Sequence, residues 1–208
     1  MKSRTIAAAL TAALALPAQA LNLEYGGFYD RLKVVNKTDY PLVSMAFYLN
    51  HRERREPCTI QGGSIIDRGN TLPLTIGPRQ ELLVPFDAEL KDHKAVLSVQ
   101  VEDEAQCDFA MQLRYSDTTQ QRFTQSDWQA MVGQFDGVLK RFAGFPFRWL
   151  QPDVSGVVVM LAEGTEVQPA KWEAEVDSGR LTLRLDQLGE DTVVFSQPPI
   201  WISPYIER

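Results

Sequence analysis

Few side chains in this 208-residue sequence combine the type and spacing that chemistry requires. Its two histidines lie in charged stretches, His51-Arg52-Glu53-Arg54-Arg55-Glu56 and Lys91-Asp92-His93-Lys94, and neither stands at metal-ligand spacing from another His or Cys. A serine hydrolase would carry its nucleophile on a sharp turn, often Gly-x-Ser-x-Gly. Gly62-Gly63-Ser64 does not have that form and reads as a loop cue. No phosphate-cradling glycine motif opens a helix, so no nucleotide cofactor is expected. The acidic group Glu102-Asp103-Glu104 with Asp108 offers the oxygen ligands that calcium takes, but the spacing fits no calcium loop. It reads as charge that keeps a strand-to-strand turn solvated. Arg52, Arg54 and Arg55 are of the type that grips phosphate; Glu53 and Glu56 interrupt them, which favours a self-compensated surface loop. No catalytic residue, metal or cofactor is assigned.

The most suggestive group is Phe145-Pro146-Phe147-Arg148-Trp149. Aromatic faces stack on sugar rings or carry interfaces, because they bury large areas at low entropic cost. Phe145, Phe147, Arg148 and Trp149 are therefore the binding candidates. The competing reading, which a position between helix and sheet favours, has them closing the core beneath that junction.

Those side chains belong to a chain built for export. Met1-Lys2-Ser3-Arg4 is a short basic region, Thr5 to Leu16 contains only Ala, Leu, Ile and Thr, and Pro17 precedes the small-residue triplet Ala18-Gln19-Ala20. That order is a secretory signal peptide with cleavage expected after Ala20. An apolar stretch of about twelve residues is too short for a membrane span, which needs about 20. The mature chain would start at Leu21 without a cysteine for lipid attachment, and it contains no later stretch apolar for long enough to span a bilayer. Without Lys2 and Arg4, 19 basic residues face 27 acidic ones, a net charge of about −8 that argues against nucleic acid as a partner. The expected location is the periplasm, where Cys58 and Cys107 would pair.

Along the mature chain, the spacing of Phe28, Leu32 and Val35 predicts a short helix over Leu23 to Lys37. Strands are expected at Val43 to Leu49, Thr59 to Ile66, Leu72 to Ile76, Glu81 to Phe86, Ala95 to Val101 and Phe109 to Tyr115, separated by turn signals. A second helix should start at Thr124, with Asp127 in the capping-box position, and stop at Gly144. Strands then resume at Val154 to Ala162, Trp172 to Val176, Arg180 to Leu185 and Thr192 to Phe195. The proline-limited end, Pro198 to Ile206, can be only an edge strand.

Four weak matches recur in order at offsets of 107 to 111. They are Phe28-x-x-x-Leu32-Lys33 with Phe135-x-x-x-Leu139-Lys140, Pro41-x-Val43-Ser44 with Pro152-x-Val154-Ser155, Ile66-Asp67-Arg68-Gly69 with Val176-Asp177-Ser178-Gly179, and Leu72-x-Leu74 with Leu181-x-Leu183. They raise the expectation of an internal duplication. The fold class expected is α+β, predominantly antiparallel, in two similar lobes: Leu21 to about Arg122, and about Phe123 to Arg208.

Phe28-Tyr29-Asp30-Arg31-Leu32-Lys33, Ala46-Phe47-Tyr48-Leu49, Cys58-Thr59-Ile60, Cys107-Asp108-Phe109-Ala110-Met111 and Ser203-Pro204-Tyr205-Ile206 together resemble a family of exported Gram-negative bacterial proteins, a domain of unknown function. The resemblance implies the exported compartment and the paired cysteines, and no activity. The reading favoured is a non-catalytic binding or assembly module of the cell envelope, with an envelope protein or a glycan as partner. The alternative is a hydrolase acting on envelope glycan through two carboxylates, which need not be near each other in sequence. N-terminal sequencing of the protein from an envelope fraction is expected to begin at Leu21; a start at Met1 would remove the export reading.

Overall fold

A computed structural model describes residues 20–37, 39–54, 56–173 and 175–207. Of the expected leader, only Ala20 lies within the described residues. There it begins a strand not anticipated from the sequence, β1 (Ala20–Glu24), which runs directly into helix α1 (Tyr25–Val35). The first half continues through β2 (Val43–His51), β3 (Ile60–Asp67), β4 (Asn70–Pro73), β5 (Thr75–Ile76), β6 (Leu82–Leu83), α2 (Ala88–Asp92), β7 (Val96–Val101) and β8 (Cys107–Tyr115). The second half comprises β9 (Arg122–Phe123), α3 (Gln125–Ala143), β10 (Gly156–Met160), β11 (Val167–Gln168), α4 (Ala170–Glu173), β12 (Arg180–Arg184), α5 (Leu185–Leu188), β13 (Val193–Phe195) and β14 (Trp201–Tyr205). Among the described residues every ladder is antiparallel, so the chain is α+β with a predominantly antiparallel sheet.

Helix α3 forms where its caps dictate. The Thr124 amide donates to the Asp127 carboxylate at 2.7 Å and the Asp127 amide donates to the Thr124 hydroxyl at 3.4 Å, closing the capping box. Gly144 ends it at φ +67°. Trp128, Met131, Val132, Phe135 and Val138 form its buried stripe. That stripe faces the main core, built from the strands of the second half together with Val35, Val43 and Leu113 of the first. A second core gathers Tyr25, Phe28, Phe47, Leu49, Leu97 and Val99.

The pairings of the two halves correspond. The order β1-β7-β3 is matched by β9-β13-β11, and β2-β8 by β10-β14. Strand β6 lies along β2 as β12 pairs with β10, and a short helix follows each, α2 after β6 and α5 after β12. The equivalent last strands, β8 and β14, lie against each other where the halves meet. The Asp67–Asn70 and Asp177–Arg180 turns share a backbone. Arg68 and Gly69 stand at φ +48° and +84°, and Ser178 and Gly179 at +51° and +74°, the left-handed pair that tight hairpins need. They differ in topological place, however: the first turn leads into β4, which pairs with β3, whereas the second leads into β12, whose counterpart by pairing is β6.

Three elements depart from expectation, and of the strand expected at Glu81 to Phe86 only β6 (Leu82–Leu83) forms. Among the described residues of Trp172 to Val176 there is no strand: α4 occupies Trp172, whose amide donates to the Pro169 carbonyl at 3.0 Å. Leu72 to Ile76 is divided into β4 and β5, because the chain follows β3 as far as Leu74, whose amide donates to the Gly63 carbonyl at 3.1 Å, and from Thr75 pairs with β6 instead. The terminal strand β14 is an edge of the β12-β10-β14 sheet, as its Pro204 requires.

Cys58, just before β3, and Cys107, the first residue of β8, form a disulfide with Cα atoms 6.3 Å apart, closing a 49-residue separation. In the chain-entropy account such a loop contributes about 4 kcal/mol. Replacing both cysteines with alanine is therefore expected to lower the melting temperature by an amount on the order of 10 °C. Mass spectrometry under non-reducing conditions should find no alkylatable thiol in the native chain.

Candidate functional site

The site begins with the hairpin between β5 and β6. The Gly77 amide donates to the Glu81 carbonyl at 2.8 Å and the Gln80 amide to the Gly77 carbonyl at 3.0 Å, with Gln80 at φ +65°. A Cβ on Gly77 would sit 2.6 Å from Glu81 Oε2, so the turn has room for the inward carboxylate only because residue 77 is glycine. Glu81 is buried, with a side chain 8% exposed. A buried carboxylate is stable only with partners, and it has four donors. The Arg79 amide reaches Oε2 at 2.9 Å and Arg79 Nε reaches Oε1 at 2.9 Å. Tyr48 Oη on β2 donates to Oε1 at 3.2 Å, and Arg114 Nη1 on β8 lies 3.5 Å from it.

The electrostatics follow from this wiring. Burial alone would raise Glu81, but hydrogen bonds from its own and the Arg79 amide, together with the Arg79 guanidinium, hold it below the usual carboxylate range. Burial pushes the Tyr48 phenol up to about 12, with the Glu81 charge adding to it and Arg114 opposing. Burial also lowers Arg114, helped by the repulsion of Arg79, although an arginine stays cationic. The Arg114 guanidinium sits between two rings, 5.2 Å from the centroid of Tyr48 and 5.3 Å from that of Trp201, and its Nη2 donates to Gln112 at 3.2 Å. Since Trp201 belongs to β14, this cation joins the halves.

Around the network opens a cleft of about 710 Å³, walled by β2, the β5–β6 hairpin, Arg114 to Thr118 and, from the second half, Pro199 to Ile202. Three carboxylates line it. Glu81 is engaged as above; Asp87 caps α2 by accepting from the Glu89 amide at 2.8 Å; Asp117 accepts from the Thr119 amide and hydroxyl, which lower it. A glycosidase acid needs a carboxyl raised in pKa so that it holds a proton to donate. Glu81 and Asp117 are shifted the other way.

A family model described as a protein of unknown function, DUF2987, matches residues 17–161, more than two thirds of the chain. The chain belongs to this family. No curated protein and no solved structure matches it. The DUF2987 span takes in the first half, α3 and β10; it contains Tyr48, Arg79, Glu81 and Arg114 and stops before Trp201.

The sequence-chosen residues are elsewhere. Phe145, Phe147, Trp149 and Leu150 are 61 to 79% exposed on a tip beyond the end of α3, so the core-closing role does not hold, and none of them lines the cleft between the halves. They are exposed because Gly144 ends α3 and the chain turns outward through a short 3₁₀ turn at Phe147–Trp149 before returning to β10. His93 is half-buried, its Nδ1 3.0 Å from Asp67. His51 Nδ1 accepts from the Glu53 and Arg54 amides, and Asp108 pairs with Arg52 at 2.9 Å. Among the described residues no cluster of three or more His, Cys, Asp or Glu residues is arranged to hold a metal. Sequence reasoning missed the Glu81 network entirely, since Tyr48 and Arg114 each stand 33 positions from Glu81 and every member sits in an ordinary strand or turn context.

Glu81→Gln is expected to destabilise the fold by about 1–3 kcal/mol, the low end for a buried pair because Arg79 is half exposed. The sign with pH is fixed by the lowered Glu81: its contribution is complete above the ordinary glutamate range and fades as pH falls through the folded value. Chemical denaturation across pH 3 to 7 should show a shallower acid decline in the variant, starting at about pH 5.

Proposed function

We propose that this protein is an exported, soluble module of the bacterial cell envelope, periplasmic after cleavage behind Ala20, which binds a glycan or a segment of an envelope protein without transforming it. The two halves, Leu21 to about Arg122 and about Phe123 to Arg208, act as lobes with the binding cleft at their junction. The observation that carries this reading is the cleft, whose ionisable centre is already committed to internal partners while its rim offers one indole, hydroxyls and apolar side chains. Trp201, Arg79, Ser116 and Thr118 supply the stacking face and hydrogen-bonding groups that sugars or extended peptide require. The disulfide supports the oxidising compartment.

Calorimetric titration with cell-wall glycan fragments, and in-cell crosslinking from a photoreactive residue at the cleft wall, should give a specific ligand. Trp201→Ala should weaken its binding by about tenfold or more. Because Trp201 also covers Arg114, Leu83→Asp at a half-exposed wall position serves as a second variant that leaves the network intact. Turnover of glycan by the purified protein, or unchanged ligand binding in both variants, would overturn the reading.

A further inference from the structure

The tip beyond α3 lies outside the cleft and has no role in it. Phe145, Phe147, Trp149 and Leu150 place four large apolar side chains within six residues, each more than half exposed. Phe145, Phe147 and Leu150 stand out from the surface, while Trp149 projects over a shallow hollow shared with Lys140, Arg148, Gln151 and Asp153. They are also preformed: the Phe145 and Trp149 rings meet edge to face at 5.2 Å, the Arg148 guanidinium lies 4.8 Å over the Trp149 ring, and the Arg148 amide donates to the Gly144 carbonyl at 2.6 Å.

The charge around the tip is unlike the rest of the chain. On a molecule of net charge −6, the sixteen residues between Asp136 and Asp153 contain Lys140, Arg141 and Arg148 and no acidic residue. Lys140 is neutralised by Asp136 at 2.8 Å and Asp153 at 2.7 Å. Among the described residues Arg141 and Arg148 form no ion pair, and both are exposed. An apolar, aromatic projection with free guanidinium groups at its base matches the layering of a bilayer surface: Trp and Phe settle at head-group depth, while arginine lays its stem along apolar surface and keeps its charge among phosphates. A protein hot spot would instead be expected near the centre of a flat, well-packed patch, and of the polar groups beside the Trp149 ring, Lys140 and Asp153 are engaged with each other, which leaves Arg148 and Gln151 there.

We propose that the tip Phe145–Leu150 is an interfacial anchor that docks the protein on an anionic phospholipid bilayer, with the aromatic side chains and Leu150 entering the head-group boundary and Arg141 and Arg148 meeting lipid phosphates. No described helix is long and apolar enough to cross a membrane, so the contact is one of lying on the surface. The acidic remainder of the chain opposes approach, which confines the contact to this end of α3 and makes it reversible and sensitive to salt.

The test uses the mature chain and vesicles of equimolar phosphatidylglycerol and phosphatidylethanolamine. Native protein should co-sediment with them, and the F147S/W149S/L150S variant, altered only at exposed positions, should partition at least about tenfold more weakly with an unchanged melting temperature. R141Q/R148Q should lose binding to these vesicles but little of any binding to neutral phosphatidylcholine. Brominated lipid should quench native tryptophan fluorescence and fail to quench that of W149F, which keeps its partitioning. L83D, in the cleft, should bind vesicles as the native protein does. Native protein that stays in the supernatant, a triple variant that partitions normally, or a crosslinker at the tip that captures a protein in cells while vesicles are not bound would each overturn the proposal.

Discussion

The charge of Glu81 is the constraint around which the middle of the molecule is arranged. A carboxylate removed from water is destabilising by several kcal/mol unless its oxygens find donors, and the donors come from its own hairpin and from two strands remote in sequence. Arg79 arrives from the same hairpin, Tyr48 from β2 and Arg114 from β8. To place the carboxylate at all, residue 77 must be glycine and Gln80 must take a left-handed backbone, where its side chain accepts from the Ile60 amide at 2.7 Å and ties the turn to β3. Arg114 then carries the constraint across the junction to Trp201. A polar network that was only half satisfied would weaken this junction, so its completeness, more than its net energy, fixes how β14 sits beside β8.

The rest of the junction is apolar. Val35, Val43 and Leu113 of the first half enter the core under α3, so neither half closes its own hydrophobic surface entirely. Repetition of the pairings β1-β7-β3 and β2-β8 in β9-β13-β11 and β10-β14 gives a molecule with an approximate internal symmetry, in which equivalent last strands meet side by side.

How much of this was legible follows from which forces are local. Helix α3 is legible to the residue because capping boxes, a 3.6-residue stripe and a terminal glycine are all short-range signals. Val43 and Val154 are both buried, but Val43 is the first paired residue of β2 whereas Val154 stands two residues before β10. The matched hairpin turns share only backbone chemistry, since Asp, a small or polar residue and Gly stabilise the same turn wherever two strands must reverse. Strands β9 and β11 are two residues each and carry no period to read. The Glu81 network was illegible because an inward-facing charge in a strand differs from an outward-facing one only through partners that tertiary packing brings together. His93 shows the same limit on a smaller scale: its charged neighbours in sequence gave no sign that it is half-buried against Asp67, 26 residues away.

The tip is the place where the second half departs most from the first. Helix α1 has 11 residues and α3 has 19, and the connection that follows, residues 36–42 in the first half, becomes residues 144–155 in the second. The first half makes the same turn from helix to inner strand without any aromatic projection, so the fold's connectivity does not require one. Nor does packing: Phe145, Phe147, Trp149 and Leu150 contribute to neither core. Exposing four such side chains together lowers solubility and invites association, and a single polar substitution at any of them would relieve part of that without disturbing a buried contact. A feature that neither topology nor core packing accounts for, and that carries an intrinsic liability, points to a surface it meets.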